Sequence, residues 1–70
     1  MSAPTANNSL GTRYKVFQTT TIAVTNSYPE AVQRARAVAG NDVEARVLGG
    51  CGDYVPFATV GQVEIYRVAA

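Results

Sequence analysis

The feature that most constrains this chain is a single helix with clear punctuation at both ends. Ser27-Tyr28-Pro29-Glu30 fits the S-x-x-E capping box, in which Ser27 accepts from the Glu30 amide and Glu30 reaches back to the Ser27 amide. Pro29 falls in the first turn, where a missing N–H costs no bond. Gly40 supplies a left-handed residue after the last turn, and Asn41-Asp42 complete the exit. The predicted helix therefore runs from Tyr28 to Ala39. Its buried stripe is Ala31, Val32, Ala35, Val38 and Ala39, with Gln33, Arg34, Arg36 and Ala37 toward water. A stripe of such small residues lets a helix approach a sheet closely.

The other patterned stretches read as strand. Residues 13–25 are dense in β-branched and aromatic side chains. Alternation puts Tyr14, Val16, Ile22 and Val24 on one face, and Arg13, Lys15, Phe17 and several threonines on the other. The middle of this stretch holds no Gly, Pro or Asn for a tight turn, which predicts one long bent strand. Residues 43–48 alternate with Val43, Ala45 and Val47 inward. Residues 54–60 are apolar but carry Pro56, which suits an edge segment or a packed loop. Residues 62–68 form the last predicted strand, with Val63 and Ile65 on one side and Glu64, Tyr66 and Val68 on the other.

The expected fold is thus a small α+β domain over residues 12–70, in β–α–β–β order. It has a three-stranded sheet and one helix on one face. Residues 1–11 are polar and without apolar period, which predicts a flexible N-terminal arm. The 70 residues allow one domain. Ten Val and eleven Ala, with two Leu, two Ile and no Trp, make its core thin. One helix covers one side of a sheet, so the other side is expected to find cover on another chain.

Bulk chemistry narrows the function. The lack of His removes the usual general base and the commonest metal ligand, and with one Cys no structural zinc set forms. Cys51 alone cannot close an internal disulfide, which suits a reducing compartment such as the cytoplasm. Six Lys/Arg against five Asp/Glu give a net charge of +1, too little to steer the chain onto nucleic acid or an anionic membrane. No apolar run approaches the roughly 20 residues of a membrane span, and the start of the chain lacks the pattern of a secretory signal. Neither catalysis nor a cofactor is expected.

The β–α–β–β order and the length are similar to those of dodecins, small flavin-binding proteins that assemble into hollow shells. This chain has no Trp to stack an isoalloxazine ring and its helix is shorter, so no dodecin residue role transfers to it. The polar arm, low charge and Thr/Val/Ala-rich body also resemble small bacteriophage virion or accessory proteins, for which the location is the virion.

The most distinctive motif is the loop Gly49-Gly50-Cys51-Gly52-Asp53. Its glycines permit positive φ and close backbone approach, as in a partner contact or an anion-binding nest, although no phosphate-loop spacing is present. The first reading of function is a non-enzymatic assembly or binding protein, docked on its own copies or on a larger complex. Val16, Phe17, Tyr54, Phe57 and Tyr66 are the candidate interface residues, because aromatics dominate interface energies. A second reading is a small-ligand module of an oligomer, using residues 49–53 with Tyr54 or Phe57. A third is a weak single-stranded nucleic-acid binder, with Arg13, Lys15, Arg34, Arg36, Arg46 and Arg67 flanking the aromatics.

Overall fold

A computed structural model of the chain describes residues 11–69. The predicted arm, apart from Gly11, lies outside the described residues. Strands β1 (Thr12–Phe17) and β2 (Thr21–Thr25) precede helix α1 (Tyr28–Ala39); β3 (Ala45–Val47), β4 (Ala58–Val60) and β5 (Val63–Ala69) follow it. All five strands form one sheet in the order β2-β1-β5-β4-β3, with every neighbouring pair antiparallel. The expected three-stranded sheet in β–α–β–β order is therefore incorrect, and with it the topological basis of the dodecin likeness.

Two local events account for the extra strands. Residues 13–25 are not one long strand, because the chain reverses at Gln18–Thr20, where the Gln18 amide donates to the Thr20 carbonyl at 3.1 Å. No residue other than glycine takes positive φ among those described, so this turn is made without a left-handed position. The hairpin absorbs the mismatch as a bulge: Val16 pairs with Ala23 and Phe17 with Thr21, leaving Ile22 without a partner. A one-residue shift changes which side chains face inward. Ala23 and Thr25 thus point to the core side, while Ile22 and Val24, expected inward, are 39% and 53% exposed.

The second event concerns the proline-bearing segment. It is neither an edge nor a loop throughout, since β4 lies between β5 and β3. Pro56 sits two residues before β4, and the ladder to β5 already begins with the Phe57 amide donating to Ile65 O at 2.8 Å. The missing proline N–H therefore falls outside the paired residues and costs nothing.

The helix has its predicted bounds. Ser27 Oγ accepts from the Glu30 amide at 3.3 Å, and the buried Thr25 donates its hydroxyl to Ser27 O at 2.8 Å, tying strand to cap. The Glu30 carboxylate turns toward Arg34 at 3.9 Å rather than back to the cap. Gly40 ends the helix with φ +127° and ψ 142°: positive φ as predicted, but extended in ψ. Ala31, Val32 and Ala35 are buried, whereas Val38 is 49% exposed. Arg36 is half-buried and donates Nε to Val43 O at 3.0 Å, fastening the exit turn instead of facing water.

Beneath the helix, Val16, Ala58, Val60, Val63 and Ile65 are fully buried. Each Val or Ile in such a position stabilises the fold by about 1.5–3 kcal/mol through removal from water. An aromatic group closes one end, with Tyr14, Tyr28 and Phe57 at centroid distances of 5.4–5.9 Å. At the β3 edge Val47 stands opposite the buried Ala58, on the helix side as expected, yet it stays 59% exposed. No helix among the described residues is long and apolar enough to cross a membrane.

Candidate binding face of the sheet

The helix covers one face of the sheet, and no described helix or strand lies over the other. Cross-strand register builds that open face from the sequence alternation. One row runs Arg46, Thr59, Glu64, Phe17, Thr21 across β3, β4, β5, β1 and β2. The next contains Tyr66, Lys15 and Val24, and beyond it Val68 lies beside Arg13. Because β1 and β5 are the strands beside one another at the middle of the sheet, their side chains meet at the centre of the face.

Phe17 and Tyr66 pack edge to face there, with ring centroids 6.3 Å apart. Lys15 Nζ lies 5.8 Å from the Phe17 centroid and 5.3 Å from that of Tyr66. The same ammonium reaches Asp53 at 3.4 Å. Such a partly exposed pair stabilises by about 0–1 kcal/mol, but it fixes where the glycine loop rests. Tyr66 donates its hydroxyl to Glu64 Oε1 at 2.6 Å. That bond, then partial burial, then the carboxylate's charge, raise the Tyr66 pKa above its usual value. The centre of the face thus presents aromatic edges and two charged groups already satisfied within the chain.

The five candidate interface residues separate. Phe17 and Tyr66 meet on the open face. Val16 is fully buried in the core on the opposite side. Phe57 belongs to the aromatic group under the helix, where Arg67 Cζ lies 5.4 Å from its ring. Tyr54 stands 94% exposed in the loop before β4, with Val55 beside it at 54%.

The loop of residues 49–53 is a folded connection. The Leu48 and Gly49 amides share the Phe57 carbonyl, at 2.8 and 3.0 Å, and the Gly52 amide donates to Arg67 O at 2.9 Å. A Cβ on Gly50 would meet the Pro56 and Val55 carbonyls at 2.4 and 2.6 Å. The glycines therefore serve turns and a close chain crossing, and two of the amides an anion nest would use are already spent. Cys51 is exposed. A cleft of about 260 Å³ lies elsewhere, lined by Gln18, Val38, Ala39, Gly61, Gln62 and Val63, all uncharged.

The cations do not gather. Arg13, Lys15 and Arg46 belong to the open face, Arg34 to the helix surface, Arg36 to the exit turn and Arg67 to Phe57. The ion pairs among the described residues are Lys15 with Asp53 and Arg34 with Glu30. Asp53 comes from the candidate loop and Lys15 from the cations flanking the aromatics, while Glu64 is the member of this cluster that no reading of the sequence named as a site residue. The signal for two of them was present in the alternation, which puts Lys15 beside Phe17 and Glu64 beside Tyr66. Among the described residues no group of three or more His, Cys, Asp or Glu comes together to hold a metal ion. Neither a family model, nor a curated protein, nor a solved structure matches the chain.

Proposed function

We propose that the chain is a non-enzymatic assembly or binding protein that buries the open face of its sheet on another protein surface. The observation that carries this reading is the unequal covering of the sheet. One side is sealed by the helix, and the other leaves the Phe17–Tyr66 pair and Val24 at the surface. Aromatic side chains in such central positions supply most of the energy of protein interfaces. Lys15 already has Asp53 as its counter-charge within the chain, so a protein surface can close over the ammonium without supplying another. A nucleic acid strand would find the two rings edge to face with an ammonium beside both, and cations spread over both sides of the molecule. That arrangement offers little to stacking or to phosphates.

The test is hydroxyl-radical footprinting of the chain inside the complex it forms in its source cells, compared with the dilute purified chain. Phe17 and Tyr66 lose reactivity in the complex on this reading. Unchanged reactivity of both, with protection of Val38 on the helix instead, rejects it.

A further inference from the structure

We infer that the outer edge of β2 pairs antiparallel with the same edge of a second copy of the chain, joining two five-stranded sheets into one. Backbone direction is the first support. The Ile65 and Arg67 carbonyls accept from the Phe57 and Gly52 amides on the β4 side of β5. Successive residues of a strand aim their N–H and C=O groups to opposite sides, so Glu64 and Tyr66 turn to β1, where Phe17 and Lys15 meet them. Tyr14 and Val16 then turn to β2 and take Thr25 and Ala23. Val24, between those two, aims its backbone groups away from the sheet. No backbone group of a described turn or loop takes them up.

Composition is the second support. Exposed sheet edges are commonly blunted by charge, proline or shortness. The opposite edge, β3, is three residues long, with Arg46 at its centre and Glu44 just before it. Residues 18–27, which hold β2, carry neither a charge nor a proline. Ile22 and Val24 stand exposed along that edge. Main-chain bonds to such an edge give an added strand its affinity, and the alternate side chains its specificity.

The order Ile22-Ala23-Val24 selects a copy over an unrelated strand. A twofold contact requires every residue pair to recur with the copies exchanged. Setting Ala23 opposite its own copy places Ile22 against Val24 and Val24 against Ile22, two β-branched pairs of the kind that stabilise neighbouring strands. The bulge leaves Ile22 no partner in β1 to lose, and an uncharged edge does not repel its copy. The twofold axis of such a pair stands perpendicular to the sheet. Both helices then lie on one side, and the open face is lengthened instead of covered.

Sedimentation equilibrium of the full chain, from low to high micromolar, tests the inference together with hydrogen exchange at both ends of that range. A monomer–dimer equilibrium is expected, with exchange at the Val24 amide slowing as dimer forms. Val24→Pro removes that outward N–H and leaves the β1–β2 ladder its bonds, while Ile22→Lys sets a charge on the edge. Each weakens dimerisation by at least about tenfold, because a twofold interface contains each change twice. Val47→Lys on the β3 edge and Thr59→Lys on the open face leave it unchanged. Far-ultraviolet circular dichroism checks that each variant is folded, and Ile22→Lys carries the test where Val24→Pro is not. A chain monomeric at every concentration overturns the inference. So does a dimer whose Val24 amide exchanges as fast as the monomer's, or one that Ile22→Lys leaves intact. A dimer broken by Thr59→Lys but not by Ile22→Lys moves the contact to the open face and also overturns it.

Discussion

The two faces of the sheet are made by the same strands and behave differently. On the helix side Val16, Val60, Val63 and Ile65 are sealed under Ala31, Val32 and Ala35. On the other side the neighbours of those residues in sequence, Phe17, Glu64 and Tyr66, form a half-exposed cluster of rings and satisfied polar groups. Strand alternation is enough to produce both surfaces. What separates them is the covering helix, whose small side chains allow close contact. The fully buried apolar packing therefore resides on one face, and the other stays half-exposed.

The sharpest way to break this contrast is to truncate one residue of each face. Ile65→Ala removes the largest fully buried side chain and is expected to cost about 2–5 kcal/mol. A single core of this size seldom supplies more than about 3–5 kcal/mol, so the variant is expected to be largely unfolded in urea titration or thermal melts. Phe17→Ala, measured on monomer, is expected to cost only about 1–2 kcal/mol. Equal losses would mean that both faces carry the fold.

The spacing of the helix is the next lever. Ala35 is fully buried against the sheet, and Ala35→Leu overpacks that contact at an expected cost of about 1–3 kcal/mol. The midpoint of urea unfolding reads it. A neutral result would mean that the helix rides loosely, and that the two faces differ less than their burial implies.

These two sites also show what was legible in the sequence. The helix was read to the residue because its signals are local: Ser27, Pro29 and Glu30 at one end, Gly40 at the other. The hairpin was not, because Gln18-Thr19-Thr20 turns without Gly or Asn and hides its cost in the unpaired Ile22. Strand β4 was obscured by Pro56, which looks like a strand breaker until its place just outside the ladder is known. Each half of the face cluster was legible within its own strand. Their meeting was not, since β1 and β5 lie far apart in sequence and Asp53 reaches Lys15 across 38 positions.

The loop offers a smaller test on the open side. Gly50→Ala places a methyl group within 2.6 Å of two carbonyl oxygens, so the crossing must open, at an expected cost of about 1 kcal/mol or more. The readout is hydrogen exchange at the Gly52 amide, which donates to Arg67 O. Faster exchange there, with the β1–β5 amides still protected, would place the loop's strain on the open side. Faster exchange throughout would show the loop to be part of the core's support.

The smallest effect expected is electrostatic and sits at the centre of the open face. The neutral Tyr66 phenol donates to Glu64, and ionisation would set a phenolate against that carboxylate, so its pKa lies above the usual 10.0. A group whose folded pKa is raised contributes stability that is whole below its unfolded pKa and is lost as pH rises through the folded one. Urea midpoints of the wild type and of Tyr66→Phe should therefore keep a constant offset up to about pH 10, and the offset should shrink at more alkaline pH. Ultraviolet difference titration between the two proteins isolates this phenol from Tyr14, Tyr28 and Tyr54. A midpoint at or below the usual value would mean that the bond to Glu64 is not kept in solution, and the open face would then offer a free carboxylate where a satisfied one is described.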